Sequence, residues 1–410
     1  MQKHVSWAVT VATVATCALG AGSPAMAADA APATSAVTAT AAATPGGIDT
    51  SKLDPKLKAT VDAFIAKLPA GWQDRVQALY DKSGAGDTLW AEISHAGIDP
   101  NSYQCQSTQF REAILKHYEG INNPSGFEIL RALGFLDLPV YEALLFGKDS
   151  KANTFGLNGE YTQKVTSTMK DLKSFWDINS ADIQLVPMKN DIYQSPERAG
   201  RVIAALYGVS EEVGVEFAKA LYPQYFEMEP FLKNGMNPIL TLNAFAYSEE
   251  GEPNPMGISD RIVMGDGILE VMKEIGLDGV APKEIMAHEF GHHVQFEDHL
   301  FTNTTLTGPE ATRRTELMAD AFGTYYLTHS RGEALNAERL LNSEKGFYEI
   351  GDCSFLSPGH HGTPNQRLAA STWGASVADN AANQGHILLS LTFADKFDVK
   401  LPELVKPDAV

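Results

Sequence analysis

The spacing of apolar residues predicts helices over most of the chain. In the segment Leu57–Leu68, apolar residues recur three and four positions apart, which is the repeat of one face of an α-helix. Phe110–His117 and Phe127–Phe146 continue this pattern, and Asn123-Pro124 interrupts it. We therefore predict a helical N-terminal region over residues 51–150, to which the sequence assigns no role.

The second part of the chain, residues 151–410, combines helices with two short strands. Pro238–Tyr247 and Arg261–Met264 are rich in apolar and β-branched residues, and a loop rich in Gly, Pro and Asn separates them. Further helices are predicted over Tyr161–Trp176, Ser195–Tyr222, Ile268–Ile275, Pro282–Glu297, Pro309–Thr328 and Gly332–Leu341, with more beyond Gln366. The fold class that follows is α+β, mostly helical, with a small antiparallel or mixed sheet.

The first 50 residues have a different composition. A Lys near the start, an apolar stretch from Val5 to Gly22 and the sequence Ala25-Met26-Ala27 predict a secretory signal peptide over residues 1–27, cleaved after Ala27. The alternative is a membrane anchor, but the stretch is shorter than the roughly 20 residues that span a bilayer. Residues 28–50 are mostly Ala, Thr, Pro and Ser and predict a flexible linker. We expect an exported protein, secreted or periplasmic, with no membrane span after cleavage.

Composition and charge narrow the class of protein. The 410 residues are 44% hydrophobic, which is enough for one large domain or two smaller ones, and their formal net charge is −19. Such an acidic surface argues against nucleic acid as a partner. Two cysteines remain after the predicted cleavage, Cys105 and Cys353, and they form either a disulfide or two buried thiols.

The sequence His288-Glu289-Phe290-Gly291-His292 is the main candidate for chemistry. Two His residues four positions apart project from one face of a helix, so both can bind one zinc ion. Glu289 lies at the edge of that face and can act as general base without being a ligand. The alternative is an accidental His pair on a surface helix.

A catalytic zinc ion with two His ligands usually takes a third protein ligand and leaves one position open. Glu316 is the best candidate, because Asp320 follows it by one helical turn and can hold the far nitrogen of a His ligand. Glu310 and His299 are alternatives. Glu316 could instead be a solvated residue near Arg313 and Arg314.

These motifs resemble those of the neutral zinc metallopeptidases, a family of gluzincins. The similar segments are His288–Gln295, Glu316–Asp320 and His361–Arg367, and the resemblance covers roughly residues 240–368. It implies a zincin-like domain with one zinc ion, the ligands His288, His292 and Glu316, Glu289 as base and Asp320 beside a ligand. The N-terminal helical region has no counterpart in this resemblance.

The resemblance also implies roles outside the ligand set. An edge strand beside the cleft can pair with an extended substrate, and Asn243-Ala244-Phe245-Ala246 is the candidate, with Asn243 and Ala244 as substrate-binding residues. His361 either donates a hydrogen bond in the transition state or is structural. Arg367 is expected to form a structural ion pair.

Together these residues predict a zinc-dependent endopeptidase that acts on a peptide or protein substrate. The rival predictions are an exported zinc-binding protein with a structural site and an inactive or latent peptidase fold that serves in interaction. A structural zinc site is usually closed by four ligands that include Cys, and no Cys lies near this motif. The sequence indicates neither the cleavage specificity nor the oligomeric state.

Overall fold

The computed structural model describes residues 49–83, 102–252, 255–352, 360–380 and 385–408. The predicted signal peptide and all but the last two residues of the predicted linker lie outside these ranges, so both stay predictions. Within the described residues, no helix is long and apolar enough to cross a membrane.

The N-terminal region is helical, as predicted. Asp54 and Asn123 cap two of its helices through their side chains, and a Pro follows each cap as the first helical residue. The predicted helix over Phe127–Phe146 is in fact two helices, because Gly134 adopts a left-handed conformation with φ of 71° between them. The helices are α1 (Pro55–Ile65), α2 (Trp72–Ser83), α3 (Gln109–Tyr118), α4 (Pro124–Ala132) and α5 (Leu138–Phe146).

Most of the predicted helices in residues 151–410 are present. They are α6 (Thr162–Phe175), α7 (Pro196–Tyr207), α8 (Glu211–Met228), α9 (Asp266–Glu274), α10 (Ala281–Glu297), α11 (Pro309–Thr328), α12 (Ala337–Glu349), α13 (Pro364–Asp379) and α14 (Ser390–Leu404).

Two of these helix predictions had wrong boundaries. The predicted helix Ser195–Tyr222 is divided into α7 and α8, because Gly208 ends α7 with φ of 70° and the Ser210 side chain caps α8. The predicted helix Gly332–Leu341 begins later, at Ala337, where the Asn336 side chain accepts a hydrogen bond from Arg339, and it runs on to Glu349.

A mixed three-stranded sheet completes the α+β fold. Its strands are β1 (Gln184–Met188), β2 (Ala244–Tyr247) and β3 (Arg261–Gly265). The order is β1-β3-β2, with β1 parallel and β2 antiparallel to β3, so β2 lies at an edge. Strand β1 was not predicted.

The prediction of one long strand over Pro238–Tyr247 was wrong in its first part. Pro238–Thr241 forms a 3₁₀ helix, because Pro238 fixes the first helical position and the Asn237 side chain accepts a hydrogen bond from the N–H of Ile239. The Thr241 hydroxyl accepts from the N–H of Gly267, which holds this turn against the start of α9. Only the last four residues pair with β3.

The N-terminal helices pack directly on the rest of the chain. Helix α1 contacts α8, α3 contacts α9, and α5 contacts α7 and β1. Helix α10 lies between the edge strand β2 and helix α11. This position brings the His288-Glu289 segment into the middle of the core, with the sheet on one side and a helix on the other.

Cys105 is disulfide-bonded. Cys353, the partner that the sequence suggests, lies outside the described residues. The Sγ atom of Cys105 is 3.5 Å from the carbonyl oxygen of Asp352, the residue that precedes Cys353. The segment just before α3 is therefore held next to Asp352.

Candidate metal centre

Small residues let α10 and α11 approach closely. A Cβ atom at Gly291 would lie 3.1 Å from the Cα of Ala319, and one at Gly323 would lie 3.2 Å from the backbone of Ala287 and His288. Larger side chains at these positions would push the helices apart. This close approach brings polar residues of α11 within reach of the two His residues of α10.

The three predicted ligands converge at the contact of these helices. The Nε2 atoms of His288 and His292 are 3.1 Å apart. One Glu316 oxygen is 3.4 Å from His288 Nε2, and the other is 3.5 Å from His292 Nε2. The buried group of His288, His292 and Glu316 could therefore hold a metal ion.

The far nitrogens of both rings are held by acceptors. His288 Nδ1 is 2.8 Å from Asp320 Oδ1, as the sequence predicted, and His292 Nδ1 is 2.8 Å from Gln295 Oε1. A carboxylate or amide oxygen accepts the proton on Nδ1, so each ring directs its Nε2 lone pair toward the centre of the group.

The distances between the donor atoms fit a small tetrahedral ion. With metal–ligand bonds of about 2.0–2.1 Å, neighbouring ligand atoms of a tetrahedral site are about 3.3 Å apart. The two ring nitrogens are 3.1 Å apart, and each lies 3.4 or 3.5 Å from a different oxygen of Glu316, so one ion of this size could be held between the two rings and the carboxylate. Two nitrogens and one carboxylate leave a fourth position without a protein ligand among the described residues.

The alternative third ligands do not join the group. His299 is largely exposed and its Nδ1 is 3.5 Å from Glu250. Glu310 is not part of the cluster. Glu316 itself is buried, so it is not a solvated residue beside the Arg pair. The neighbouring His293 is also directed elsewhere, since its Nε2 donates to the carbonyl of Arg261.

The protonation states of His292 and Glu316 suit metal binding, whereas that of His288 does not. Burial lowers the pKa of His292 to about 3, which leaves its ring neutral. Burial opposes ionisation of Glu316, but His361, His292 and His288 together hold its pKa below its ordinary value. Burial lowers the pKa of His288, yet its hydrogen bonds to Asp320 and Glu316 outweigh burial and raise it to about 10. Bound metal would have to displace that proton.

Glu289 is fully buried beside the group and is not part of it. Neither carboxylate oxygen has a hydrogen-bond partner of standard geometry among the described residues. Burial raises the pKa of Glu289 to about 8, while the ring of His288 and the nearby backbone N–H of Ala246 lower it. A buried carboxyl group without partners is costly, so this group is placed to meet a proton donor that binds in the site.

His361 lies on the other side of Glu316. Its backbone N–H donates to Asp352 at 2.8 Å, and its ring Nδ1 is 3.5 Å from the same carboxylate. Burial lowers the pKa of His361, but the charges of Glu316 and Asp352 raise it above its ordinary value. The buried Nε2 atom has no partner among the described residues. An imidazole held on one side and unpartnered on the other can donate a hydrogen bond into the site.

Arg367 forms the ion pair that the sequence suggested. Two of its nitrogens donate to Asp320 at 2.8 and 2.6 Å, and a third is 3.9 Å from Glu316. The side chains of Arg367 and Asp320 are completely buried. Asp320 therefore has to serve both a His ligand and a guanidinium, which fixes its orientation.

Strand β2 borders the group on the sheet side. Asn243 precedes it, and its carbonyl oxygen accepts from Gly265 of β3. Since alternate residues of a strand direct their backbone groups to opposite sides, Ala244 and Ala246 present theirs to the free edge. The side-chain Oδ1 of Asn243 is buried and unpartnered among the described residues.

The group is closed off from solvent. His288, His292 and Glu316 are at most 2% exposed, and all residues of β2 are buried. The ring of Phe301 stacks near His292, and that of Phe347 lies 6.2 Å from His288. Phe301 belongs to the segment between α10 and α11, and Phe347 belongs to α12.

Two residues of the site were missed in the sequence. Gln295 follows His292 by three positions, a spacing that on a helix signals contact between side chains. Asp352 gave no local signal, because it precedes His361 by nine positions in a segment without helical or strand periodicity. Only the structure brings its carboxylate to the ring.

In comparisons with known proteins, the chain matches no family model, no curated protein and no solved structure. Function therefore has to be inferred from the geometry of the site.

Proposed function

We propose that this protein is a zinc-dependent peptidase whose reacting groups lie between β2, α10 and α11. One observation carries the proposal. The buried side chains of His288, His292 and Glu316 bring donor atoms close enough together to hold one metal ion, and the carboxyl group of Glu289, the residue after His288, is buried without a hydrogen-bond partner among the described residues. A structural zinc site does not require a general base such as Glu289. Such a site would also normally have a fourth protein ligand.

Zinc is the ion that best suits these donors. Two imidazoles and one carboxylate form a ligand set found in zinc hydrolases, and the donor spacing agrees with zinc bond lengths. A zinc ion held there supplies Lewis acidity, which lowers the pKa of a water molecule and polarises a carbonyl group.

Glu289 is proposed to move the proton. Its pKa of about 8 lies near neutrality, which is where a group that both accepts and releases a proton works best. It takes a proton from water as the water oxygen attacks the scissile carbonyl carbon. It then gives that proton to the departing amine nitrogen, so the proton balance closes within one turnover.

His361 and the edge strand are proposed to act on the substrate. The Nε2 of His361, which has no partner among the described residues, donates a hydrogen bond to the carbonyl oxygen as negative charge develops on it, and the Asp352 carboxylate, 3.5 Å from Nδ1, orients the ring. The backbone of Ala244 and the amide of Asn243 bind the extended peptide along β2. These roles extend the resemblance to the neutral zinc metallopeptidases, and membership of that family is part of the proposal.

The burial of the site limits the access of a substrate. Since the ligands and Glu289 are buried, a peptide reaches them only when a covering element moves. A latent peptidase, or a zinc-binding protein that does not cleave peptides, is the second candidate, and this burial is the observation that favours it.

Export of the protein is part of the proposal. Cys105 is disulfide-bonded, and disulfides persist mainly in oxidising compartments outside the cytosol. This agrees with the signal peptide expected from the sequence. We propose that the enzyme acts on peptides or unfolded proteins after secretion or in the periplasm.

The decisive experiment compares residues 28–410 with the Glu289→Gln variant in hydrolysis of an unfolded protein, with zinc content measured for both. We expect zinc in both proteins and a loss of activity of about 100-fold to 10,000-fold in the variant, because the general base is removed. The control is Glu297→Gln, which removes a carboxylate from the end of the same helix and should leave activity unchanged.

Full turnover by Glu289→Gln would contradict the assignment of the base. Zinc binding without hydrolysis in the wild type would favour the second candidate. Absence of zinc from a folded wild-type protein after incubation with the metal would reject both.

A further inference from the structure

Arg313 is a buried cation that nothing in the proposed mechanism uses. It lies on α11 and is 6% exposed. Its Nε and Nη1 atoms are buried and have no hydrogen-bond partner among the described residues. The adjacent Arg314 differs, since it donates twice to Asp398 at 2.7 Å and once to the carbonyl of Leu300 at 2.8 Å.

An unpaired guanidinium in this position is unfavourable. Burial lowers the pKa of Arg313, and the nearby Tyr103 and Glu310 raise it, but arginine keeps its proton in proteins. Neither neighbour forms an ion pair or hydrogen bond with Arg313 in the part of the chain that the structure describes. The unfavourable free energy of removing this guanidinium from water is therefore not offset by contacts with those residues.

Arg313 faces the same way as the residues of the metal centre. It precedes Glu316 by three positions and Asp320 by seven, which places all three on one face of α11. Leu317 on this face lies against the segment that carries His361, since a Cβ at Gly362 would be 3.0 Å from its Cδ2 atom.

The separation from the metal centre matches a short stretch of peptide. Three helical residues correspond to about 4.5 Å of rise, and a long side chain leans toward the N-terminus of its helix. A separation of about 5–10 Å between the guanidinium and the Glu316 carboxylate would correspond to about two or three residues of an extended chain.

We propose that Arg313 binds a carboxylate of the substrate, two or three residues from the scissile bond. This inference rests on the proposed peptidase function and adds a specificity to it. A planar guanidinium with free N–H groups can hold a carboxylate through two parallel hydrogen bonds. Such a contact satisfies the buried charge only while substrate is bound.

The carboxylate has two possible sources, the C-terminus of the peptide or an acidic side chain. Peptides of one sequence can separate them. One pair carries a C-terminal acid or a C-terminal amide, and the other pair carries Glu or Gln at the third position beyond the cleaved bond, each with an amidated end. Cleavage is measured as kcat/KM, and binding to the zinc-loaded Glu289→Gln protein is measured by calorimetry.

We expect the wild type to favour one carboxylate-bearing peptide over its neutral partner by about 10-fold to 100-fold, as for a hydrogen-bonded charge pair. In Arg313→Gln this difference should disappear. A preference for the acid terminus identifies an enzyme that removes short C-terminal peptides, and a preference for Glu identifies side-chain recognition. If the wild type shows the same kcat/KM and affinity for the acid and amide peptides, and also for the Glu and Gln peptides, the proposal is overturned.

Arg314→Gln is the matched control, since it changes the same charge on the next residue of the same helix. It should keep the discrimination and lower Tm, because it breaks the contacts with Asp398 and Leu300. Arg313→Gln should leave Tm unchanged or raise it, since an unpartnered buried charge is removed. Discrimination that persists in Arg313→Gln, or is lost equally in Arg314→Gln, would contradict a specific contact.

Failure of the peptidase proposal would be visible separately. If the wild type cleaves none of the peptides, the calorimetric comparison still decides the role of Arg313. If the peptide with the carboxylate binds more tightly than its neutral partner, and Arg313→Gln removes this difference, Arg313 forms a carboxylate-binding site in a protein that is not a peptidase. Equal affinities for the two peptides would reject the site.

Discussion

Helix α10 carries charged and polar residues in two different settings. In its middle, His288, Glu289 and His292 are buried. The Nδ1 atoms of the two rings are hydrogen-bonded to Asp320 and Gln295, respectively. In its last turn, Glu297 is partly exposed and lies near several other carboxylates. Burial and the charges of Glu250, Asp182 and Asp260 raise the pKa of Glu297 to about 7.

The difference lies in how each charge is compensated. At the buried centre, the charges of His288, Asp320 and Arg367 are compensated by one another at short range, so removing one of them leaves an uncompensated charge. At the end of the helix, water and salt screen the repulsion, and each carboxylate contributes little. Positions a few turns apart on one helix should therefore respond very differently to the same kind of substitution.

The largest effect is expected for Glu316→Gln. The amide lacks the negative charge that holds a divalent ion, so we expect zinc affinity to fall by more than 100-fold, beyond the 10-fold to 100-fold typical of residues behind the ligands. Equilibrium dialysis with a competing chelator measures this. Glu310→Gln is the control, and unchanged affinity in Glu316→Gln together with a loss in Glu310→Gln would reverse the ligand assignment.

Asp320→Asn should weaken both metal binding and the fold. It leaves Arg367 buried without its carboxylate partner, and breaking a buried pair costs about 3–5 kcal/mol. Zinc affinity should fall by about 10-fold to 100-fold because the His288 ring loses a charged acceptor. Denaturant unfolding and zinc titration measure these changes.

Asp62→Asn provides the exposed comparison. Asp62 pairs with Lys58 at the surface, and removing that pair should lower the free energy of unfolding far less than Asp320→Asn does, as denaturant unfolding would measure. If Asp62→Asn and Asp320→Asn lowered the free energy of unfolding equally, burial would not explain the contribution of Asp320 to stability.

Gly323→Ala tests the close helix contact on which the buried centre depends. The added methyl group would meet backbone atoms of α10 at 3.2 Å, and overpacking of this kind costs about 1–3 kcal/mol. The higher helix propensity of Ala returns up to about 1 kcal/mol. We expect a net loss of stability and weaker zinc binding, whereas Gly279→Ala, which has open space around it, should change neither.

The smallest effect belongs to the acidic end of α10. The pKa of Glu297 is raised from 4.5 to about 7, so the folded protein keeps a proton that the unfolded chain releases within this range. Stability therefore falls as pH rises from 4.5 to 7. Glu297→Gln should raise stability at pH 8 by a few tenths to about 1 kcal/mol, because screening is strong there, and should change nothing at pH 4. Thermal unfolding at both pH values measures this.

The sequence predicted the parts of the molecule whose signals are local. The ligands, Glu289 and Asp320 depend on helical spacing within two short segments, and the structure brings them together as that spacing requires. Helix α11 has the bounds that were predicted, Pro309–Thr328.

Features that depend on contacts with residues distant in the sequence were not predicted. Strand β1 is short and contains Pro187, and its partner β3 lies more than seventy residues away, so nothing in its own sequence marked it as a strand. The first half of Pro238–Tyr247 was apolar enough for a strand, but a capped 3₁₀ turn took its place. The contact of Asp352 with His361 likewise joins two residues nine positions apart, a spacing that no periodicity signals.

The burial of the three ligands also determines how fast a metal ion could exchange. An ion surrounded by side chains that are at most 2% exposed can leave only during the brief intervals in which the surrounding elements separate. A chelator in excess would then remove it at the rate of that opening, whatever the chelator's own affinity. The metal found in the purified protein would accordingly reflect the ions present when the chain folded, rather than those in the final buffer.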